Sequence, residues 1–205
     1  QWEAGVKTEL WDGRLRMTAA YFDLTKQNIA VPDATNLLRL RPVGEAQTRG
    51  IDLDITGEIL PGWQVIAAYS YLPFAKITHD VADDGAGNPT AGGTGNRLFL
   101  AAKDSGSLWS TYEFQDEALR GLKVGGGVVA VGERQGDVAN TYQLAGYVTA
   151  NLMASYQWHV GMTRLTAQLN VNNLFDVSHF AGSNAFDSAV FGMPRFFMGS
   201  IRMEF

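Results

Sequence analysis

Phe196-Phe197-Met198-Gly199-Ser200-Ile201-Arg202-Met203-Glu204-Phe205 reads with a period of two. Phe197, Gly199, Ile201, Met203 and Phe205 share one face, and Phe196, Met198, Ser200, Arg202 and Glu204 share the other. Successive strand side chains point to opposite sides, so this stretch is a strand with one apolar face and one more polar face. The same alternation recurs upstream. Leu165, Ala167, Leu169 and Val171 stand against Thr166, Gln168, Asn170 and Asn172, and Val148, Ala150, Leu152, Ala154 and Tyr156 against Thr149, Asn151, Met153, Ser155 and Gln157. Ile51, Leu53 and Ile55 oppose Asp52, Asp54 and Thr56, and Leu15, Met17, Ala19 and Tyr21 oppose Arg14, Arg16, Thr18 and Ala20. From Val124 to Val131 the Gly125-Gly126-Gly127 run blurs the pattern and leaves the faces unassigned.

Nine strands are predicted, over 2–10, 14–26, 48–58, 63–77, 104–115, 122–133, 145–157, 164–174 and 195–205. A soluble strand averages about 5–6 residues, whereas a tilted strand crossing a bilayer needs about 9–11. Length therefore favours a membrane barrel over a sandwich. The connections are sorted as well. Trp11 to Gly13, Leu60 to Gly62, Gln115 to Gly121 and His159 to Met162 are short; Gln27 to Gln47, Thr78 to Lys103, Arg134 to Leu144 and Phe175 to Pro194 are long. Short turns on one side and long loops on the other are what an antiparallel up-and-down transmembrane barrel shows, the short turns facing the periplasm. Trp11, Trp63 and Trp158 fall at the short-turn ends and Tyr21, Phe22, Tyr69, Tyr71 and Tyr147 toward the long-loop ends, where two interfacial aromatic belts are expected.

Composition agrees. A hydrophobic share of 46% coexists with a mean hydropathy of only -0.08, as it would if every second strand residue faced lipid. No apolar run is long enough for a transmembrane helix, and the start of the sequence shows no signal-peptide pattern. The absence of cysteine excludes disulfides and thiolate chemistry, and a net charge of -5 without a basic stretch argues against nucleic acid as a partner.

Several ordered motifs carry a resemblance. The C-terminal Phe205, with Phe197, Ile201 and Met203 on its face, resembles the signal by which outer-membrane barrels are recognised for assembly. Leu169-Asn170-Val171-Asn172-Asn173-Leu174-Phe175-Asp176 followed by Gly192-Met193-Pro194-Arg195-Phe196-Phe197 resembles the closing motif of TonB-dependent receptors. Thr48-Arg49-Gly50-Ile51-Asp52-Leu53-Asp54-Ile55-Thr56-Gly57, with Leu60-Pro61-Gly62-Trp63 and Ala68-Tyr69-Ser70-Tyr71, resembles another stretch of that family. Ser107-Leu108-Trp109-Ser110-Thr111-Tyr112 and Gly132-Glu133-Arg134-Gln135-Gly136-Asp137 resemble its siderophore branch, near the ferrichrome-type receptors. Two departures stand out. No Pro follows Gly95-Asn96-Arg97-Leu98 before the next strand, and Phe180 is the nearest aromatic where the family commonly places a Tyr after Phe175-Asp176.

The resemblance implies that residues 1–205 are the C-terminal part of a barrel of about 22 strands, the N-terminal plug and the earlier strands being absent from this sequence. It implies a multi-pass protein of the Gram-negative outer membrane that takes up ferric siderophores, energised by the TonB complex through that missing region. The piece would not be competent alone. Further implied partners are the surrounding lipid and the barrel assembly machinery. No cofactor is expected, iron entering only inside the ligand, and no catalysis. A passive diffusion porin is the alternative.

Arg134, Tyr142, Phe180 and Phe186 are the loop candidates for ligand contact, aromatics to cover a chelate and a cation for its oxygen-rich shell; ordinary loop packing is the competing reading of each. Asp52 and Asp54 share a face but lack an accompanying nucleophile or base, and Glu9 is expected to pair with Arg14 or Arg16. His79, His159 and His179 fall in connections on opposite sides, with His159 in a short turn. Asp80, Asp83, Asp84 and Asn88 lack the spacing of a calcium loop and read as a solvated acidic loop.

Overall fold

A computed structural model describes residues 1–32, 40–80, 82–83, 89–90, 93–184 and 187–205. Nine strands form one antiparallel sheet in which each pairs with its sequence neighbours. They are β1 (Trp2–Leu10), β2 (Leu15–Pro32), β3 (Leu40–Leu60), β4 (Trp63–His79), β5 (Asp104–Glu113), β6 (Leu122–Val131), β7 (Tyr147–Val160), β8 (Thr163–Asn172) and β9 (Phe196–Glu204). Short two-stranded pieces decorate the long connections, at 82–83 with 89–90, 134–135 with 143–144, and 180–183 with 189–191. The turns follow from their residues. At Leu60-Pro61-Gly62-Trp63, proline presets φ and Gly62 takes φ +80°, which a side chain resists, while Glu58 accepts from the Gly62 amide at 2.8 Å.

Register assigns the faces. Residues directly opposite in a ladder share a face, so Val65, Ser110, Gly126, Leu152, Val171 and Phe197 form one row across β4 to β9. One position along, Gln64, Thr111, Gly125, Met153, Asn170 and Met198 form a row on the opposite face. The glycine run of β6 thus keeps strict alternation, with Gly126 outward and Gly125 and Gly127 inward. The outward face is largely apolar yet uncovered: Val6 is 70% exposed, Ile201 68% and Phe197 66%. Buried apolar residues among those described are few, and a single layer with a bare hydrophobic face is not a soluble architecture. That face meets lipid. The inward face lines a hollow of about 580 Å³ shared by strands β4 to β9.

Three expectations are corrected. The segment from Gln27 to Gln47 was expected as a loop, but β2 continues to Pro32 and β3 begins at Leu40, paired from Gln27–Glu45 to Pro32–Leu40. Residues 15–26 alone exceed the about 9–11 that a tilted strand needs to cross a bilayer, so the extension continues past it. Its described side-chain contacts are polar, Gln47 to Asp23 at 2.7 Å, Gln27 to Glu45 at 3.2 Å and Thr78 to Glu45 at 2.9 Å. β7 runs to Val160, which puts His159 in the strand opposite Arg164 rather than in the turn. Phe22 and Tyr147 face inward, opposite Gly50 and Val131, because their neighbours Tyr21 and Val148 hold the lipid-facing parity. Tyr21 does keep the outer belt, 5.3 Å from Trp2, and Trp158 stacks 6.0 Å from Tyr156 at the other end.

Candidate functional site: the loop block

At the long-loop end, three connections are tied together largely by side chains bonding to backbone. The first is the stretch 93–103 after β4. Its Asn96-Arg97-Leu98 segment adds to the end of β4 through Ile77 N to Asn96 O (2.9 Å) and Leu98 N to Ala75 O (2.9 Å). Ile77 is buried there against Leu98 and Val138. The Arg97 side chain donates to Ala101 O at 3.0 Å and Leu72 O at 2.7 Å. Burial pulls its guanidinium below the ordinary value, with the Asp104 carboxylate opposing that shift.

The second connection, 132–146, is joined to the first by a reciprocal pair. Arg97 N donates to Asn140 Oδ1 at 2.8 Å, and Asn140 Nδ2 donates to Arg97 O at 2.9 Å. Asn140 takes φ +59°, a conformation that Asn tolerates better than most residues. Buried Asp137 accepts from Thr141 N at 2.7 Å and Thr141 Oγ1 at 2.5 Å, closing the turn. Leu100 N reaches Gln135 O at 2.9 Å.

The third connection, 173–195, is held by the residues singled out from sequence. Arg134 is 6% exposed, and its guanidinium donates to Ala181 O at 3.0 Å and Phe180 O at 2.6 Å. It also lies 5.4 Å from the Tyr147 ring centroid, and Tyr147 stacks 4.2 Å from His179. Tyr142 Oη and Ser183 Oγ are 2.8 Å apart, and Ser183 in turn donates to Gly136 O. Phe180 packs 4.9 Å from Phe191. Arg134, Tyr142 and Phe180 therefore come together at one junction, while Phe186 lies outside the described residues. Sequence reasoning missed Asn140, Ser183 and Asn173. Buried Asn173 bonds to Val177 O (3.0 Å), Met193 O (3.1 Å) and Val177 N (2.9 Å), fastening both ends of the third connection. The Asn172-Asn173 pair ahead of Leu174-Phe175-Asp176 was the one available signal for it.

Other candidates resolve more simply. Asp52 accepts from Ser70 at 2.6 Å, and Glu9 pairs with Arg16 at 3.0 Å, whereas Arg14 donates to Trp11 O. Asp80, expected in a solvated loop, is instead buried and accepts from Gly93 N at 2.6 Å; Asp84 and Asn88 lie outside the described residues. Among the described residues, no group of three His, Asp or Glu is placed to hold a metal ion.

A sorted, lipid-facing wall with a loop block at one end defines a segment of an outer-membrane β-barrel. Residues 1–174 match the family described as TonB dependent receptor-like, beta-barrel, and the chain belongs to that family. The family is one of transport receptors, and the chain is a wall segment of a barrel in the Gram-negative outer membrane. It is 38% identical over 185 residues to the metal-pseudopaline receptor of Pseudomonas aeruginosa, covering 89% of this chain and 24% of that protein. It is 30% identical to the ferrioxamine B receptor of Salmonella typhimurium, covering 100% of this chain and 28% of that one. Among solved structures, the siderophore receptor PiuA from Acinetobacter baumannii superposes with a TM-score of 0.78 at 32% identity, over 98% of this chain and 28% of the other. The ferripyoverdine receptor of Pseudomonas aeruginosa bound to ferripyoverdine gives 0.68 at 30% identity, over 97% of this chain and 26% of the other. The chain thus spans roughly a quarter of the length of these relatives.

Proposed function

We propose that this chain is the C-terminal part of the barrel of a receptor that carries ferric siderophores across the outer membrane, energised through TonB by a region outside these residues. The observation that carries the reading is a lipid-facing wall whose outer end bears one knitted loop block, in a chain similar to several siderophore receptors along its whole length. β1 and β9 end the sheet without pairing to each other. Open edges are not viable in lipid, so further strands must close the barrel between them. Iron enters as cargo inside its chelate. The protein performs no covalent chemistry and holds no cofactor. Tyr142 and Phe180 offer aromatic surface to the chelate. Arg134, its guanidinium engaged by carbonyls, positions that surface rather than touching the ligand. Phe197, Ile201, Met203 and Phe205 present the outward row read by the assembly machinery, and the rest of that face meets lipid.

The test is uptake of radio-iron from a panel of siderophores by iron-starved cells whose sole receptor is the full-length protein. Saturable uptake of one chelate class that disappears without TonB is expected. Influx that is unsaturable and indifferent to TonB would establish a passive pore instead.

A further inference from the structure

The lipid-facing wall is hollowed at one place, across β5, β6 and β7. Two neighbouring outward rows meet there. One runs through Trp63, Tyr112, Val124 and Ala154, the next through Val65, Ser110, Gly126 and Leu152. Together they enclose a hollow of about 600 Å³, within the range of sites that hold small molecules. Its floor is bare backbone. A Cβ added at Gly126 would stand 3.0 Å from Leu152 Cδ2 and 3.4 Å from Asn151 O, so leucine leans over the glycine. Tyr112 and Val124 form the wall toward the short turns.

The hollow asks its occupant for packing and not for hydrogen bonds. Its lining is mostly apolar, and the Ser110 hydroxyl is already engaged, since Trp63 Nε1 donates to Ser110 Oγ at 2.8 Å. It is continuous with a face in contact with hydrocarbon, where no water is at hand to fill it. Left empty, it would forfeit dispersion contacts along its whole lining. A methylene chain restores them without bringing a polar atom. A second copy of this chain does not, because a two-fold contact centred here sets the same hollow against itself and doubles the void.

Depth selects the leaflet. Trp63 begins β4 and Tyr112 is the penultimate residue of β5, so both stand at the short-turn end, where aromatic residues mark the interface. Gly126 lies two residues beyond Val124 on β6, about 7 Å farther from that end. One leaflet of the hydrocarbon core is about 15 Å deep, so the hollow lies within the periplasmic one.

We infer that the hollow floored by Gly126 and walled by Tyr112, Val124 and Leu152 is a seat for one acyl chain of a phospholipid of the periplasmic leaflet. The chain enters beside Trp63 and Tyr112 and is held there while the surrounding lipid exchanges. The seat is independent of which chelate the receptor carries.

The test uses the full-length receptor in phosphatidylcholine vesicles containing a trace of phosphatidylcholine with a diazirine on one acyl chain. Irradiation and peptide mapping should concentrate label on 110–112, 124–126 and 152–154. A diazirine near the ester should favour Tyr112 and Val124, and one nearer the methyl end Gly126 and Leu152. Gly126→Leu, which fills the hollow, should lower this labelling several-fold, whereas Ala150→Val, outward on β7 but outside the hollow, should leave it unchanged. Ala154→Leu fills the same space from β7 and gives the same reading should Gly126→Leu fail to insert. Label spread evenly over the outward rows would mean exchanging lipid only and overturn the seat. A reversed order of depth would bring the chain from the other leaflet and overturn it equally, as would absence of label at the hollow with receptor dimers on crosslinking, which would assign the surface to a second copy.

Discussion

The membrane wall from β5 to β9 and the loop block above it are built from the same chain chemistry but held by different forces. In the wall, backbone groups pair along the ladders, and the outward rows of Leu, Val, Ile and Phe are stabilised by lipid. In the loop block, side chains of Arg97, Arg134, Asn140 and Asn173 carry donors to carbonyls on neighbouring connections. Where one face meets hydrocarbon, stability depends on hydropathy; where water reaches both sides, it depends on satisfying backbone groups one by one. The extension of β2 and β3 belongs with the loops in this respect, a ladder whose described side-chain contacts are polar: Gln27 and Thr78 both donate to Glu45.

That contrast can be broken first in the wall. Leu169→Arg places a charge on the lipid face of β8, where such a residue near the bilayer midplane costs about 2–4 kcal/mol. Gln168→Arg, one residue away on the inner face, should cost almost nothing. Urea titration of the full-length barrel refolded into vesicles measures both, and equal costs would remove the assignment of faces.

In the loop block, Arg134→Leu removes two charge-assisted bonds to Phe180 O and Ala181 O, a local loss of about 1.5–3 kcal/mol. Hydrogen exchange should accelerate through 134–144 and 180–191 while the wall strands keep their protection. Faster exchange confined to the wall would contradict the positioning role of Arg134. Asn140→Ala opens the smaller clamp to Arg97, costing about 1–2 kcal/mol, and should expose 97–103 to protease; a nicking rate equal to that of the unaltered protein would mean the clamp contributes nothing.

The smallest effect is a titration. Glu45, in the extension, accepts from Gln27 and Thr78, and these bonds lower its pKa below the ordinary 4.5. A folded-state value below the unfolded one gives stability that is present above 4.5 and lost as pH falls through the folded value. Amides at 27–32 should therefore exchange faster, relative to their intrinsic rates, at about pH 3 than at pH 6, and Glu45→Gln should flatten that dependence. A dependence that survives the substitution would assign it to another group.

Legibility followed the solvent. β9 was readable because lipid demands Phe197, Ile201 and Met203 on one side, and the same demand marks Leu165 to Val171 and Leu15 to Tyr21. The extension from Gln27 to Gln47 was not, because polar pairs can hold a ladder without leaving a period. Tyr147 stands at the long-loop end as its position along the strand indicates, but on the inward face, because Val148 holds the lipid-facing parity. Arg134, Tyr142 and Phe180 were readable as loop residues, but not their meeting, which joins connections more than 40 residues apart.

The alternation of residue types and the sorting of short and long connections by themselves determined an up-and-down membrane wall and its orientation, because a bilayer imposes the same binary choice at each position that crosses it. Only the tertiary structure decided that Gly127 clears a place for the Trp109 indole, that Arg134 binds carbonyls, and that three connections form one block. Those outcomes depend on register and on contacts between distant segments, which leave no periodic trace in the order of residues.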